Sequence, residues 1–265
     1  MYYCDGHKHT TLPNFISAMN YYVESNGLEP IKPMLGSATV LRLRKGLVNY
    51  YSLSEHKQPK LPLGLLELHA FSLLIDRSSF EGAREWAAYL LSFFALLRRS
   101  EVVDPRLRMQ HLDFCPHGRW LAVTVPFSKT SLHPAVVRVA ARSDALCPVA
   151  ALSHYLSFIP AKLRRIASCP VFLATPETTA AVDHRQVMAQ LKRRVADIGL
   201  PADQYGWHSW RRGGTTAMFA AGVPETMIQA HGRWASLTYK IYLDTSVSLE
   251  HALVATRSIP SLSTK

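Results

Sequence analysis

Residues 80–97 constrain the fold more than any other stretch of this chain. Trp86, Tyr89, Leu90, Phe93 and Phe94 recur at helical spacing and form a wide apolar face. A helix of that kind has to be covered by other elements, so a helical core is expected around it. The apolar run stops abruptly at Leu97-Arg98-Arg99-Ser100-Glu101, where charge appears at once. The bland reading of the two arginines is that cations suit a helix C-terminus.

The remaining patterns are mostly helical. Residues 12–26 carry helically spaced apolar residues between Pro13 and the stop at Asn26-Gly27. A second helical pattern runs from Ser37 to about Leu53, and the polar Ser54–Pro62 stretch with Pro59 and Pro62 reads as a boundary. Further helices are expected over 63–75, 148–157, 184–198, 209–221, 224–230 and about 237–244. Residues 119–126 and 135–141 are β-like, and the polar turn between them holds Lys129, so a hairpin is expected there. The expected fold is mainly α with a small antiparallel β-sheet (α+β). It divides into a small helical unit, 1–57, and a larger domain, 58–265.

Charge narrows the partner. Lys and Arg outnumber Asp and Glu by 30 to 19 over 265 residues, a formal net charge of +11. Such a balance favours a polyanion, and no phosphate-cradling glycine loop points to a free nucleotide. No apolar run approaches the roughly 20 residues of a membrane-spanning helix, so no membrane partner is expected. The opening Met1-Tyr-Tyr-Cys-Asp-Gly-His7 lacks the order of a signal peptide. Four widely spaced cysteines read as reduced thiols of an intracellular protein. Cys115-Pro-His117 and Cys4-Asp-Gly-His7-Lys-His9 have no second pair at zinc-finger spacing, so no metal site is expected.

The chemistry concentrates late in the chain. His208-Ser-Trp-Arg211-Arg-Gly-Gly214 and His231-Gly-Arg-Trp234-Ala-Ser-Leu-Thr-Tyr239-Lys-Ile-Tyr242 place cations, an indole and two phenols together. His208 and Arg211 share a helix face at their spacing. Gly213 and Gly214 leave room for another backbone or a ligand. A guanidinium matches phosphate oxygens, and a nearby imidazole moves a proton near neutral pH. Breaking a phosphodiester needs a nucleophile, charge stabilisation and an acid for the leaving oxygen. A phenol serves as nucleophile where cations favour its ionised form. No carboxylate cluster suited to Mg²⁺ stands beside these residues, which disfavours a two-metal nuclease.

In order, Arg98, Lys129, His208-x-x-Arg211, Trp234 and Tyr242 resemble the motifs of the tyrosine recombinases, or phage integrases. Leu96-Leu-Arg98-Arg-Ser-Glu101 is similar to the first-arginine box, Phe127-Ser-Lys129-Thr to the hairpin lysine, and Cys147-Pro-Val-Ala-Ala-Leu152 to the helix start that follows. Gly232-Arg-Trp-Ala-Ser236 with Arg211-Arg-Gly-Gly214 looks most like recombinases of Crypton- and DIRS-type mobile elements. The resemblance spans about residues 60–250.

It implies a catalytic domain after a short, core-binding-like helical unit. It also implies DNA cleavage and rejoining through a 3′-phosphotyrosyl bond. Arg98 and Arg211 would clamp the non-bridging oxygens, and Lys129 would protonate the leaving 5′-oxygen. His208 would assist proton transfer, Trp234 would pack beside the site, and Tyr242 would attack. Arg99, Arg212 and Arg233 are expected on the DNA side, with the Lys192-Arg193-Arg194 run contacting phosphate more than bases. Double-stranded DNA is the expected partner and no cofactor is expected. A tetramer on paired sites is implied, as is a nuclear location in a eukaryotic host. Residues 249–254 are expected to dock on a neighbouring protomer.

Two features depart from the pattern. Trp234 lies one residue closer to Tyr242 than in Xer-type enzymes and Cre, which keeps Tyr239 as a rival nucleophile. The N-terminal unit is short for a core-binding domain. A type IB topoisomerase or telomere resolvase shares the same chemistry, and a domesticated DNA-binding protein that no longer cuts is the alternative from another class.

Overall fold

The structure, a computed structural model, describes residues 12–28, 42, 60–102, 106–126, 133–234 and 240. The expected helices over 37–53 and 237–244 lie outside this set, apart from Arg42 and Lys240. So do Cys4, Lys129, Tyr239, Tyr242 and residues 249–254. The chain divides into two compact units, Met1–Pro59 and Lys60–Lys265. In the first, helix α1 spans Leu12–Ser25 and the turn after it holds Gly27, whose φ of 67° suits glycine.

The second unit is helical around a small sheet. Helices α2 (Leu65–Leu74) and α3 (Phe80–Phe94) are followed by the short α4 (Arg99–Val102). Strands β1 (Leu112–Phe114), β2 (Trp120–Val125) and β3 (Ala135–Ala140) come next. Helices α5 (Pro148–Ser157), α6 (Ala161–Arg164), α7 (His184–Asp197), α8 (His208–Ala220) and α9 (Glu225–Gly232) complete it.

Helix α3 is the axis of this unit. Ser79 caps it by accepting from the Gly82 amide at 3.1 Å. Every residue from Gly82 to Phe93 is buried, including Arg84 and Glu85. The buried charges are paired: Arg84 donates to the Leu173 and Ala174 carbonyls at 2.7 and 2.8 Å. Glu85 accepts from Arg194, Gln190 and the Tyr89 hydroxyl, tying α7 to α3. Trp210 of α8 packs on Tyr89 and Phe71 at ring separations of 4.9 and 5.7 Å. Fully burying each such ring contributes about 1.5–3 kcal/mol or more.

The sheet order is β1-β2-β3, antiparallel throughout, with Leu112 opposite Val123 and Trp120 opposite Ala140. In β3, Val137 and Val139 point inward while Val136 and Arg138 stay exposed, the alternation expected of a half-buried strand. Helix α5 opens with Pro148 in its first turn. The Cys147 thiol accepts from the Ala150 amide at 3.3 Å, so this buried cysteine serves as a cap.

One expectation needs correction. Helix α3 ends at Phe94, three residues before Leu97, because Leu96 adopts φ 48° and reverses the chain. Two elements are not expected from the sequence: strand β1, at three residues too short to show alternation, and α6, a single turn. Among the described residues, no helix is long and apolar enough to cross a membrane.

Candidate active site

The C-terminus of α3 leaves carbonyls without helical partners. Cationic and imidazole side chains from α8 and α9 satisfy them. His231 donates from Nε2 to the Phe94 carbonyl at 2.7 Å, since a carbonyl only accepts. Arg233 donates to the Ala95 and Leu96 carbonyls, both at 3.3 Å. Arg211 donates from Nη1 to the Leu96 carbonyl and from Nη2 to the Gly232 carbonyl, the latter at 2.5 Å. The negative end of the helix dipole thus gathers the cations of the site.

Leu96 makes this possible. Its left-handed backbone costs roughly 1–2 kcal/mol for a residue with a Cβ. The turn exposes its carbonyl to two guanidiniums, and its side chain is fully buried with Ile228 and Trp234. Arg233 is the other described non-glycine residue with positive φ, at 59°. Both strained positions fall at this site, where strain is held by the surrounding contacts.

Arg98 follows the Leu96 turn directly. Its amide donates to Glu101 Oε2 at 2.8 Å and its Nη1 to Glu101 Oε1 at 2.9 Å. The Arg98 side chain keeps about a fifth of its surface open, whereas that of Glu101 keeps 3%. Arg233 Nη2 reaches Glu101 Oε2 at 2.7 Å, so one buried carboxylate serves two arginines. Burial holds Arg233 below the usual arginine pKa, and Glu101 opposes that shift.

Helix α8 delivers His208 and, one turn on, Arg211. Close backbone approach fixes its position. A Cβ on Gly213 would lie 1.7 Å from the Leu63 carbonyl oxygen, and one on Gly214 would lie 2.2 Å from that of Phe93. The two glycines therefore admit neighbouring backbone, the first of the alternatives their sequence allowed. Arg211 is fully buried, and the Trp234 ring covers its Cζ at 4.2 Å from the ring centre. Gly232 permits that stacking, because a Cβ there would strike the same ring.

His208 is exposed as a residue, yet enough protein surrounds its ring that lost hydration is the first cause of a lowered pKa. Arg211, Arg98 and Arg212 lower it further, and Glu101 opposes them. The imidazole is therefore held neutral further into acid than a free histidine. It is suited to accept or relay a proton near neutral pH. Burial likewise lowers the pKa of His231.

Of the six residues expected to carry chemistry, Arg98, His208, Arg211 and Trp234 fall in this one neighbourhood. Lys129 and Tyr242 lie outside the described residues. Among residues expected to face DNA, Arg99 and Arg193 are exposed and Arg212 is partly buried. Arg194 is bound to Glu85, Lys192 donates to the Ala202 carbonyl, and the Arg233 side chain is only 9% exposed. Sequence reasoning missed the part played by Glu101 beyond its spacing from Arg98, and that of His231. Among the described residues, no three His, Cys, Asp or Glu side chains are grouped as a metal set.

The fold of this chain recurs in solved structures. The Tn1549 transposon integrase bound to circular intermediate DNA superposes with a TM-score of 0.56 at 15% identity, over 96% of this chain and 80% of that one. XerA recombinase gives 0.55 at 16%, over 93% and 83%. The chain has the tyrosine recombinase fold. XerH bound to palindromic difH DNA gives 0.53 at 19%, over 70% of this chain and 50% of that one. This chain therefore aligns with half the length of XerH. No family model matches the sequence, and no curated protein matches it.

Proposed function

We propose that the chain is a tyrosine-type DNA recombinase of a mobile element, which breaks and rejoins DNA through a 3′-phosphotyrosyl bond at Tyr242. The observation that carries this reading is the grouping of Arg98, His208, Arg211 and Trp234 at one helix end, in a fold shared with enzymes named as recombinases. Arg98 is the open guanidinium and meets a non-bridging oxygen first. Arg211 joins it by exchanging a carbonyl for a phosphate oxygen, a stronger, charged acceptor. His208, held neutral, relays a proton, and Lys129 supplies one to the leaving 5′-oxygen. The phenolic oxygen of Tyr242 displaces the sugar hydroxyl, so the phosphoester linkage is exchanged and no ATP is required. DNA is the partner, and two sites on four protomers are the natural arrangement for rejoining.

A suicide DNA substrate tests this. The unaltered protein should form a covalent adduct that Tyr242→Phe abolishes. An adduct that survives Tyr242→Phe and is lost in Tyr239→Phe would move the nucleophile to Tyr239. One observation favours a second reading, DNA binding without cleavage: Arg211 is fully buried with both terminal nitrogens on carbonyls. Salt-sensitive binding with no adduct on any substrate would establish that reading instead.

A further inference from the structure

Arg233 stands between the two clamp arginines. It shares an acceptor with each. With Arg98 it divides the Glu101 carboxylate, Arg98 Nη1 taking Oε1 at 2.9 Å and Arg233 Nη2 taking Oε2 at 2.7 Å. With Arg211 it divides the Leu96 carbonyl. A third donation, to the Ala95 carbonyl at 3.3 Å, fixes the plane of its guanidinium. Its backbone is left-handed, with φ 59° and ψ 43°, and that bend sets Trp234 over Arg211. Glycine would hold this bend without strain, so the side chain is what an arginine adds here. With 9% of that side chain exposed, its surface is turned to protein and not to a DNA groove.

We infer that Arg233 is a positioning residue for phosphate capture, holding Arg98 and Arg211 in register through the Glu101 carboxylate and the Leu96 carbonyl. The inference rests on the strand-breakage reading above. It assigns Arg233 no contact with the phosphate. A lysine is a single-point donor on a flexible stem and cannot span the same three acceptors. Arg233→Lys therefore keeps the charge beside Glu101 and loses the register. Misplacing a clamp by an ångström costs up to about 100-fold in rate.

The experiment compares the full-length protein with Arg233→Lys and Arg233→Gly on two suicide substrates. One carries the ordinary scissile phosphate. The other carries a methylphosphonate there, which removes the charge that the clamp stabilises. Thermal melting and DNA affinity are measured alongside. We expect Arg233→Lys to melt close to the unaltered protein, bind DNA equally, and form adduct about 10- to 100-fold more slowly on phosphate. The deficit should largely vanish on methylphosphonate. Arg233→Gly, relieved of backbone strain, should show the same substrate dependence. Equal deficits on both substrates would mark Arg233 as merely structural and overturn the inference. A loss of DNA affinity matching the loss of rate would make it a DNA contact, again overturning it. No adduct from the unaltered protein on either substrate would overturn the breakage reading itself, and this inference with it.

Discussion

The structural role of Arg211 pulls against the phosphate-clamp role proposed for it. As a structural donor it satisfies the Gly232 carbonyl and part of the Leu96 carbonyl in a buried place. In the proposed clamp it would have to leave one of them. Arg211→Met keeps much of the volume and removes every donor. An orphaned buried acceptor costs about 1–3 kcal/mol, so a stability loss of about 2–5 kcal/mol is expected. Urea denaturation measures it, and an unchanged midpoint would show that the two carbonyls do not depend on Arg211. The histidines give a pH signature. Both His208 and His231 have folded pKa values below the ordinary 6.5. Between the folded and unfolded values the unfolded chain binds more protons. Stability is therefore full above about 6.5 and falls as pH drops through that window. His231→Gln keeps a donor for the Phe94 carbonyl and removes one titration. Its melting temperature should fall less than that of the unaltered protein between about pH 7.5 and 5. Parallel losses in the two proteins would remove His231 from the account.

At the level of elements, the junction of α3 and α8 decides whether the site assembles. Gly213→Ala forces a Cβ into the Leu63 carbonyl, which is backbone and has no rotamer to retreat to. Gly214→Ala meets the Phe93 carbonyl in the same way. Each should cost at least about 1–3 kcal/mol and displace Arg211 from the Leu96 turn. Circular dichroism melts of the two variants test this, and a neutral Gly213→Ala would contradict the close approach. The longer described helices were legible in the sequence. The apolar spacing of 80–94 and the Pro148 start are local signals, and the structure honours them. The end of α3 was not legible, because nothing in Ala95-Leu96-Leu97 announces a left-handed leucine. That turn is imposed by acceptors and donors far apart in the chain: Arg211 and Arg233 lie 115 and 137 residues beyond the carbonyl they share. Glu101 was hidden for the same reason. Its spacing from Arg98 is visible, whereas its bond to Arg233 spans 132 residues.

Over the whole molecule, the net charge of +11 predicts a polyanionic partner but does not say which cations meet it. The fold divides them. Arg84, Arg194 and Arg233 are bound to carbonyls or buried carboxylates, so they hold the molecule together. Arg193, adjacent to Arg194 on α7, is exposed. A run that reads in sequence as one basic patch is therefore split by helix geometry, successive side chains pointing about 100° apart. The two neighbours should behave differently on DNA. If Arg193 contacts a phosphate, Arg193→Ala reduces the slope of log K against log salt by about 0.9 and leaves the melting temperature unchanged. Arg194→Ala deprives buried Glu85 of its cation and should cost about 2–4 kcal/mol, tempered by the Gln190 and Tyr89 donors that remain. Its salt slope should match that of the unaltered protein. Binding titrations across a range of salt, paired with melts of each variant, read both quantities. If Arg194→Ala shifted the salt slope and not the stability, the buried pair with Glu85 would not hold in solution, and the packing of α7 on α3 would have to be redrawn.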